Sequence, residues 1–305
     1  MHCQYRVAPQ PLYGYIWNMK PNLLVSTSCV LLLSLMPSLS TSGAPVGIGP
    51  SFKGPVGLQL YSLRDQFAKD VPGTLDTVKK MGFTDVELAG TYHLTPEQFR
   101  AQLDARGLRA VSGHFPYEDF RTNLDSILRQ VKVFGMKYAG CAWIPHSGAF
   151  DEKTCREAIA VFNHAGQVLA AQGVTLFLHT HGYEFVPYKD GTLFDLMMAE
   201  TNPKFVSFQM DIFWVVDGGQ DPVKLMNKYG SRWQLMHLKG MKEGTVPGHS
   251  NATSDVPLGQ GMIPFPPLLS AAAKAGVKWY IIEDESPTAE TQISQSLHYL
   301  ETVRW

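Results

Sequence analysis

The sequence predicts a single α/β domain, a (β/α)8 barrel, on three observations. Short apolar runs alternate with amphipathic stretches eight times from Gly54 onward, glycines mark the passages from helix to strand, and ionisable residues close most of the strands. The strand candidates are Val56–Tyr61, Asp85–Leu88, Arg109–His114, Tyr138–Ala142, Thr175–His179, Val206–Asp211, Gln234–Leu238 and Trp279–Glu283. Helical patterns lie between them at Pro72–Met81, Pro96–Arg106, Phe120–Phe134, Glu152–Gln172, Leu193–Glu200, Pro222–Tyr229 and Phe265–Ala275, and a last one spans about Thr288–Val303.

The element ends carry their own signals. Gly82, Gly107, Gly135, Gly173 and Gly276 each follow a helical pattern and precede a strand, where the residue after a helix often needs positive φ. Thr95 and Asp151 stand where N-caps belong, and Pro72 and Pro96 in first turns. The strand–helix unit repeats over about 250 residues, the usual length of such a barrel. A doubly wound open sheet would carry a glycine-rich turn after its first strand, and Tyr61-Ser62-Leu63-Arg64-Asp65 is not one. No repeat of 20 to 50 residues and no linker divides the chain after Gly54, so residues 54–305 read as one TIM barrel.

Composition excludes several functions. Of 305 residues, 45% are hydrophobic and 17% charged, with 26 basic against 27 acidic residues and a net charge of −1. That balance gives no electrostatic footprint for nucleic acid. Four cysteines over this length do not make a disulfide framework.

Residues 1–50 form a different kind of sequence. No acid precedes Asp65, and Leu23 to Leu39 is largely apolar, too short and too rich in serine for a membrane span. Met19, Lys20, the apolar run and the small residues from Ser38 to Ala44 have the three parts of a signal peptide. The expectation is translation from Met19, cleavage near Ala44, and an exported protein, periplasmic or secreted, with no stable membrane span after cleavage. The alternative is a disordered or tethering N-terminus. Cleavage removes Arg6, Lys20, Cys3 and Cys29, leaving Cys141 and Cys155 as two free thiols.

In a barrel of this kind chemistry sits at the carboxyl ends of the strands. Those ends read Gln59 and Tyr61, Glu87, His114, Trp143, His179 and His181, Asp211, His237 with Lys239, and Glu283. Ionisable groups therefore close at least six of eight apolar runs, a costly place for charge unless the groups pair or bind something. Asp211, His237 and Glu283 close the sixth, seventh and eighth strands, which are neighbours. Carboxylate, imidazole and carboxylate suit a divalent cation such as Mn, Co, Zn or Mg with open positions for substrate oxygens. The structural alternative is an ion-pair network that ties the rim. The fifth strand runs into His179-Thr180-His181-Gly182-Tyr183-Glu184-Phe185, so a fourth ligand could be Glu184 or one of the histidines. The remaining groups are free for proton transfer.

With these motifs, the chain resembles the xylose-isomerase-like barrels grouped as sugar phosphate isomerases/epimerases, which include ketose 3-epimerases, inosose dehydratase and related keto-sugar enzymes. The resemblance covers about Gly57 to the C-terminus and rests on residues 57–62 and 179–185, Asp211 with Trp214, His237-Leu238-Lys239, residues 257–261 and Ile281-Ile282-Glu283. It implies one divalent metal held by two glutamates, an aspartate and a histidine. Carried over, Asp211, His237 and Glu283 match, with Glu184 as the fourth ligand. In the best-understood epimerases a glutamate ends strand five itself, where this chain has His179.

The resemblance implies an isomerase or epimerase of an unphosphorylated sugar or keto-sugar, working through a metal-stabilised enediolate. Expelling a β-substituent from the same species gives the alternative, a lyase or hydratase acting on 3-keto-glycosides or inososes. A non-catalytic carbohydrate-binding barrel is the third reading. An endonuclease of the same fold would need more ligands and a basic face, which the chain lacks. Glu184 and Glu283 are the candidate acid/base pair, His179 and His181 the alternative proton carriers, and Lys239 a candidate for a substrate oxygen. Tyr61, His114, Trp143, Phe185 and Trp214 are candidate walls for a sugar ring, each equally explicable as core. Gly259-Gln260-Gly261 could offer backbone N–H groups to a phosphate, yet no Arg or Lys lies between Lys242 and Lys274. His93, His146, His249 and His298 read as surface or structural. A homo-oligomer remains compatible with all of this.

Overall fold

The structure, a computed structural model, describes residues 46–305. Eight parallel strands close into a barrel: β1 Val56–Gln59, β2 Asp85–Leu88, β3 Arg109–His114, β4 Tyr138–Cys141, β5 Thr175–His179, β6 Val206–Asp211, β7 Trp233–Leu238 and β8 Trp279–Ile282. Each strand pairs with the next in sequence and β8 pairs with β1, so the predicted barrel is the observed one. Two-residue hairpins, Pro187–Tyr188 with Gly191–Thr192 and Gly240–Met241 with Asp255–Val256, decorate the carboxyl end. The expected export segment, with its start at Met19 and cleavage near Ala44, lies outside the described residues, as do Cys3 and Cys29. Among the described residues no helix is long and apolar enough to cross a membrane.

Local chemistry explains where elements stop. β1 ends at Gln59, two residues short of the sequence expectation, because the Gln59 side chain accepts from Tyr61 N (3.1 Å) and caps a 3-10 turn over Leu60–Leu63. The single helix expected over Phe120–Phe134 is two, Tyr117–Thr122 and Leu124–Phe134, broken where Asn123 leaves helical geometry at φ −143° and ψ 48°. Thr95 makes a full capping box with Gln98, and Asp151 accepts from Thr154 N at 2.8 Å. Gly135 ends its helix at φ +71°, a left-handed geometry that side chains disfavour. Asp211 caps a short helix, Ile212–Asp217, that the sequence reading did not include.

The main core lies between strands and outer helices, where Leu75, Phe99, Ile127, Phe162, Phe194, Trp233, Leu268 and Ile293 are essentially inaccessible. Inside the barrel the packing divides by height. Phe177, Leu235 and Ile281 are buried yet stand apart from that outer core, and Gly140 leaves the space that the Phe177 ring fills. One step towards the carboxyl end the interior turns polar, with Gln59, Glu87, Ser112, Gln209 and His237 all fully buried. That polar layer supports the site. Cys141 and Cys155 are free and buried, as the sequence implies.

Trp233 tests the outer core. Its ring stacks on Phe194 (5.4 Å between centroids, 14° between planes), and its indole N–H donates to the Leu225 carbonyl at 3.1 Å. Trp233→Ala is expected to cost about 3–5 kcal/mol in urea unfolding, from lost burial and the cavity left behind.

Candidate metal centre at the barrel mouth

Period-2 alternation decides which side chains face the axis: Gln59 on β1, Glu87 on β2, Ser112 and His114 on β3, Gln209 and Asp211 on β6, and His237 on β7. These residues form one hydrogen-bonded network. Glu87 accepts from Gln59 Nε2 (2.8 Å), Ser112 Oγ (2.6 Å), Gln209 Nε2 (2.9 Å) and His237 Nε2 (2.6 Å). Burial alone would raise the Glu87 pKa, but the nearby His114 and His237 rings and these hydrogen bonds hold it down at about 2.

An ionised Glu87 fixes every proton around it. Because it can only accept, the Gln209 amide must turn Nε2 towards it, and Gln209 Oε1 is left to accept from His114 Nε2 and His179 Nδ1, both at 2.9 Å. His179 therefore keeps its Nε2 lone pair free, 3.9 Å from Asp211 Oδ2. By the same logic His237 spends its Nε2 hydrogen on Glu87, and its Nδ1 lies 3.1 Å from Glu283 Oε2 and 3.5 Å from Asp211 Oδ2. Asp211 is held from behind: Oδ1 accepts from Trp214 N (3.0 Å), and its own N–H donates to Thr180 Oγ1 (3.0 Å). Asp211 Oδ2 is buried with no hydrogen-bond partner.

The residues present fit a divalent cation. Asp211, His237 and Glu283 each offer a donor atom within 4.8 Å of the others, all three are buried, and His114, His179 and His237 form an overlapping group. Orphaned Asp211 Oδ2, the free Nε2 of His179 and the His237 Nδ1 are the atoms a metal would take, each oriented by a partner on its far side, as metal ligands usually are. Without a metal His237 Nδ1 hydrogen-bonds Glu283, and it would give up that proton to a cation. The charge balance agrees. Burial lowers the His237 pKa, but Glu283 and Glu87 outweigh it and hold the ring well above the usual imidazole range. The same surplus of carboxylates suits a dication. Burial and the neighbouring imidazoles keep His179 well below that range, in the neutral form that ligation requires.

The other sequence candidates are placed as follows. Lys239 is buried between Glu283 (3.5 Å), Asp255 (3.9 Å) and Glu285, and it lies 5.1 Å from the Phe213 ring and 5.3 Å from that of Trp214. Burial disfavours its charge, yet these carboxylates raise its pKa, and Lys239 with His237 draws Glu283 well below the carboxylate range against the effect of burial. His181 lies over His179 (4.7 Å between centroids) with Nδ1 unpartnered, and burial lowers its pKa to about 4. His114, half-buried, joins the Gln209 network through its Nε2. Phe185 is core, packed on Phe194. Tyr61 and Trp143 are the exposed aromatics of the rim, and Trp214 lies 5.5 Å from His181.

Glu184 is not brought to the other three. Its Oε1 accepts from the His181 backbone N–H at 2.9 Å, and it lines a small internal cavity with Cys141, Leu178, Tyr183 and Phe194. Burial pushes its pKa up to about 7. The sequence gives no role to Ser112, Gln209, Asp255 or Glu285, and from it His146 reads as surface or structural. Gln209 was findable, two residues before Asp211 on the same strand face; Asp255 reaches Lys239 from a hairpin with no local signal.

A family model described as xylose isomerase-like TIM barrel matches residues 75–303. Inosose dehydratase of Lacticaseibacillus casei is 25% identical over 248 residues, covering 71% of this chain and 82% of its own. The crystal structure of a sugar phosphate isomerase/epimerase from Parabacteroides distasonis superposes with a TM-score of 0.65 at 25% identity, covering 86% of this chain and 96% of that one. The IolI protein, solved with a zinc atom bound, superposes with a TM-score of 0.64 over 80% of this chain and 96% of its own; at 14% identity that likeness shows the fold alone.

Glu184→Gln separates a ligand from a buried acid. The folded carboxyl keeps its proton up to about 7, while the unfolded one ionises near 4.5. Stability therefore falls as pH rises from 4.5 to 7 and stays low above it. The amide keeps the bond to His181 N and is expected to stabilise the protein by up to about 3 kcal/mol at pH 8 and little at pH 4. Metal content, read by elemental analysis, should be unchanged; its loss would make Glu184 a ligand.

Proposed function

The chain belongs to the xylose isomerase-like TIM barrel family, and from that premise we propose a divalent-metal-dependent lyase that removes a β-substituent from an unphosphorylated keto-sugar or inosose. The observation that carries this reading is the convergence of Asp211, His237 and Glu283 on one point of the barrel mouth, with Asp211 Oδ2 buried and unpaired. His179 is the fourth ligand in this proposal, and zinc is the first metal to test because the IolI structure contains it. A bound dication supplies Lewis-acid polarisation of the substrate carbonyl and its neighbouring hydroxyl.

The protein's own groups then divide the work. His181 is neutral and its Nδ1 is unpartnered, so it is the group assigned to take the α-proton. Lys239 keeps Glu283 ionised and pointed at His237. Asp255 and Glu285 hold Lys239 in turn. The relatives named inosose dehydratase support elimination over simple proton return. Support also comes from strand five, which ends in an imidazole where two-base epimerisation in the family uses a carboxylate. The isomerase/epimerase reading stands second, favoured by the Parabacteroides structure.

The substrate is proposed to be unphosphorylated. Gly259 abuts the Tyr299 ring and Gly261 the Met241 carbonyl, so packing already accounts for the glycines of that loop. Lys239 is consumed by three carboxylates and is no phosphate clamp. Export of the chain remains part of the proposal, on the strength of residues 19–44.

The test is elemental analysis followed by solvent exchange. About one divalent ion per chain is expected in the wild type, and it should be lost in Asp211→Ala and His237→Ala and weakened in His179→Ala. With 2-keto-inositol or 3-ketoglucose in deuterium oxide, the loaded enzyme should exchange the α-proton and form a conjugated enone that absorbs in the ultraviolet. His181→Ala should keep its metal and lose about 10²–10⁴-fold in exchange. Exchange without the enone would move the isomerase/epimerase reading to first place. No metal after reconstitution would end both.

A further inference from the structure

Trp143 stands out at the mouth because it is half exposed (50%) and yet held on several sides. His146 stacks on it at 5.0 Å and 24°, Tyr183 meets it edge-on at 4.9 Å, and His181 meets it edge-on at 5.6 Å. The supports are themselves fixed. Tyr183 Oη accepts from Ile144 N (3.0 Å), and His146 Nδ1 bonds the Ile144 carbonyl (2.7 Å), which locks the 143–146 turn. An aromatic side chain fixed this way while its other surface faces water loses little entropy when a ligand ring lies on it. A sugar presents one face of slightly positive C–H groups, which suits the negative face of an indole.

The platform is continuous with the metal centre. From Trp143 to His181 to His179 the ring centroids step by 5.6 and 4.7 Å, the reach of two linked sugar rings. Two polar atoms along this path, His181 Nδ1 and Trp214 Nε1, are buried without partners, and the two rings are 5.5 Å apart. Unsatisfied groups of this kind are costly unless a ligand completes them. A hydroxylated ligand running from the metal outward would pass both.

We propose that Trp143, backed by His146 and Tyr183, is a stacking platform for a second ring of the substrate, so that the protein acts on a glycoside rather than on a free monosaccharide. The inference rests on the keto-sugar reading above for what lies at the metal and adds the class of substituent that is expelled. In that elimination the α-carbon gives up its proton to the base assigned above, and the C–H electron pair becomes the C=C bond. The C–O bond at the β-carbon breaks with its electron pair on the oxygen of the second sugar, which takes a proton from that base or from water and departs as a free alcohol. No oxidant or reductant is needed.

The experiment is calorimetric titration of the metal-loaded protein with glucose, cellobiose and phenyl β-D-glucopyranoside. The two-ring probes are expected to bind at least about ten-fold more tightly than glucose. That preference should vanish in Trp143→Ala and survive in Trp143→Phe, with metal content and thermal midpoint unchanged in both because the indole is largely outside the core. Equal binding of one- and two-ring probes, no binding of either, or a preference that persists in Trp143→Ala would overturn the proposal. Metal content is measured on the same samples. A failed platform on a metal-loaded protein is thereby distinguished from failure of the metal site itself.

Discussion

The Glu87 carboxylate, buried on the barrel axis, is the constraint on which the rest of the site depends. It sits on β2 and accepts from side chains of β1, β3, β6 and β7, so one anion ties five of the eight strands at a single level. A charge in that position would cost several kcal/mol if any donor were missing, which makes the network all or nothing. Its value to the chemistry lies above it. By taking the Nε2 hydrogen of His237 it sets the tautomer of the ring whose other nitrogen faces Asp211 and Glu283.

Around this axis the charges are arranged in two shells with opposite tasks. Beneath the candidate metal site, Glu87, Gln209 and Thr180 orient His237, His179 and Asp211 through hydrogen bonds. On the β7–β8 flank, Lys239 balances Glu283, and Asp255 with Glu285 balances Lys239. The second arrangement needs the hairpin Gly240–Met241 and Asp255–Val256, which brings Asp255 to the strand end and lets Asp255 Oδ2 accept from Glu285 N at 2.6 Å. Rim charge is thus concentrated on fixing Glu283, while the β4–β5 flank is lined by packed rings: Trp143, His146, His181 and Tyr183.

The fold was legible because each strand is a short apolar run and each helix end carries a cap or a glycine, signals that need only neighbouring residues. Seven elements match their sequence bounds to the residue: β2, β3, β5, β6 and the helices Leu193–Glu200, Pro222–Tyr229 and Phe265–Ala275. The break at Asn123 was not legible, since the amphipathic pattern continues across it. Asp211, His237 and Glu283 could be read from strand ends alone. Gln209 as hub and Asp255 as partner of Lys239 could not, because their meaning comes from residues on other strands or from a distant hairpin. His146 looked like a loop residue for the same reason: only the turn back from Ile144 places it under Trp143.

The least expected position, an imidazole at the end of strand five where the family resemblance implies a carboxylate, follows from the same axis. Once Glu87 is ionised, Gln209 must present Oε1 to strand five. A carboxylate at position 179 would meet that oxygen acceptor to acceptor. Flipping the amide to donate there would turn Oε1 onto Glu87 instead, which only moves the repulsion. A residue at 179 must therefore donate to Gln209, which neutral histidine does while keeping its second nitrogen for the metal of the proposed site. Strand five then has no carboxylate to exchange protons across the substrate from Glu283. The base proposed on that side, His181, lies beyond the strand end, in edge contact with Trp143 and with His179. A buried hydrogen-bond polarity set on β2 thus reaches, through Gln209, to the identity and tautomer of the residue at 179, and in the proposed mechanism it leaves the base and the second ring to the β4–β5 flank.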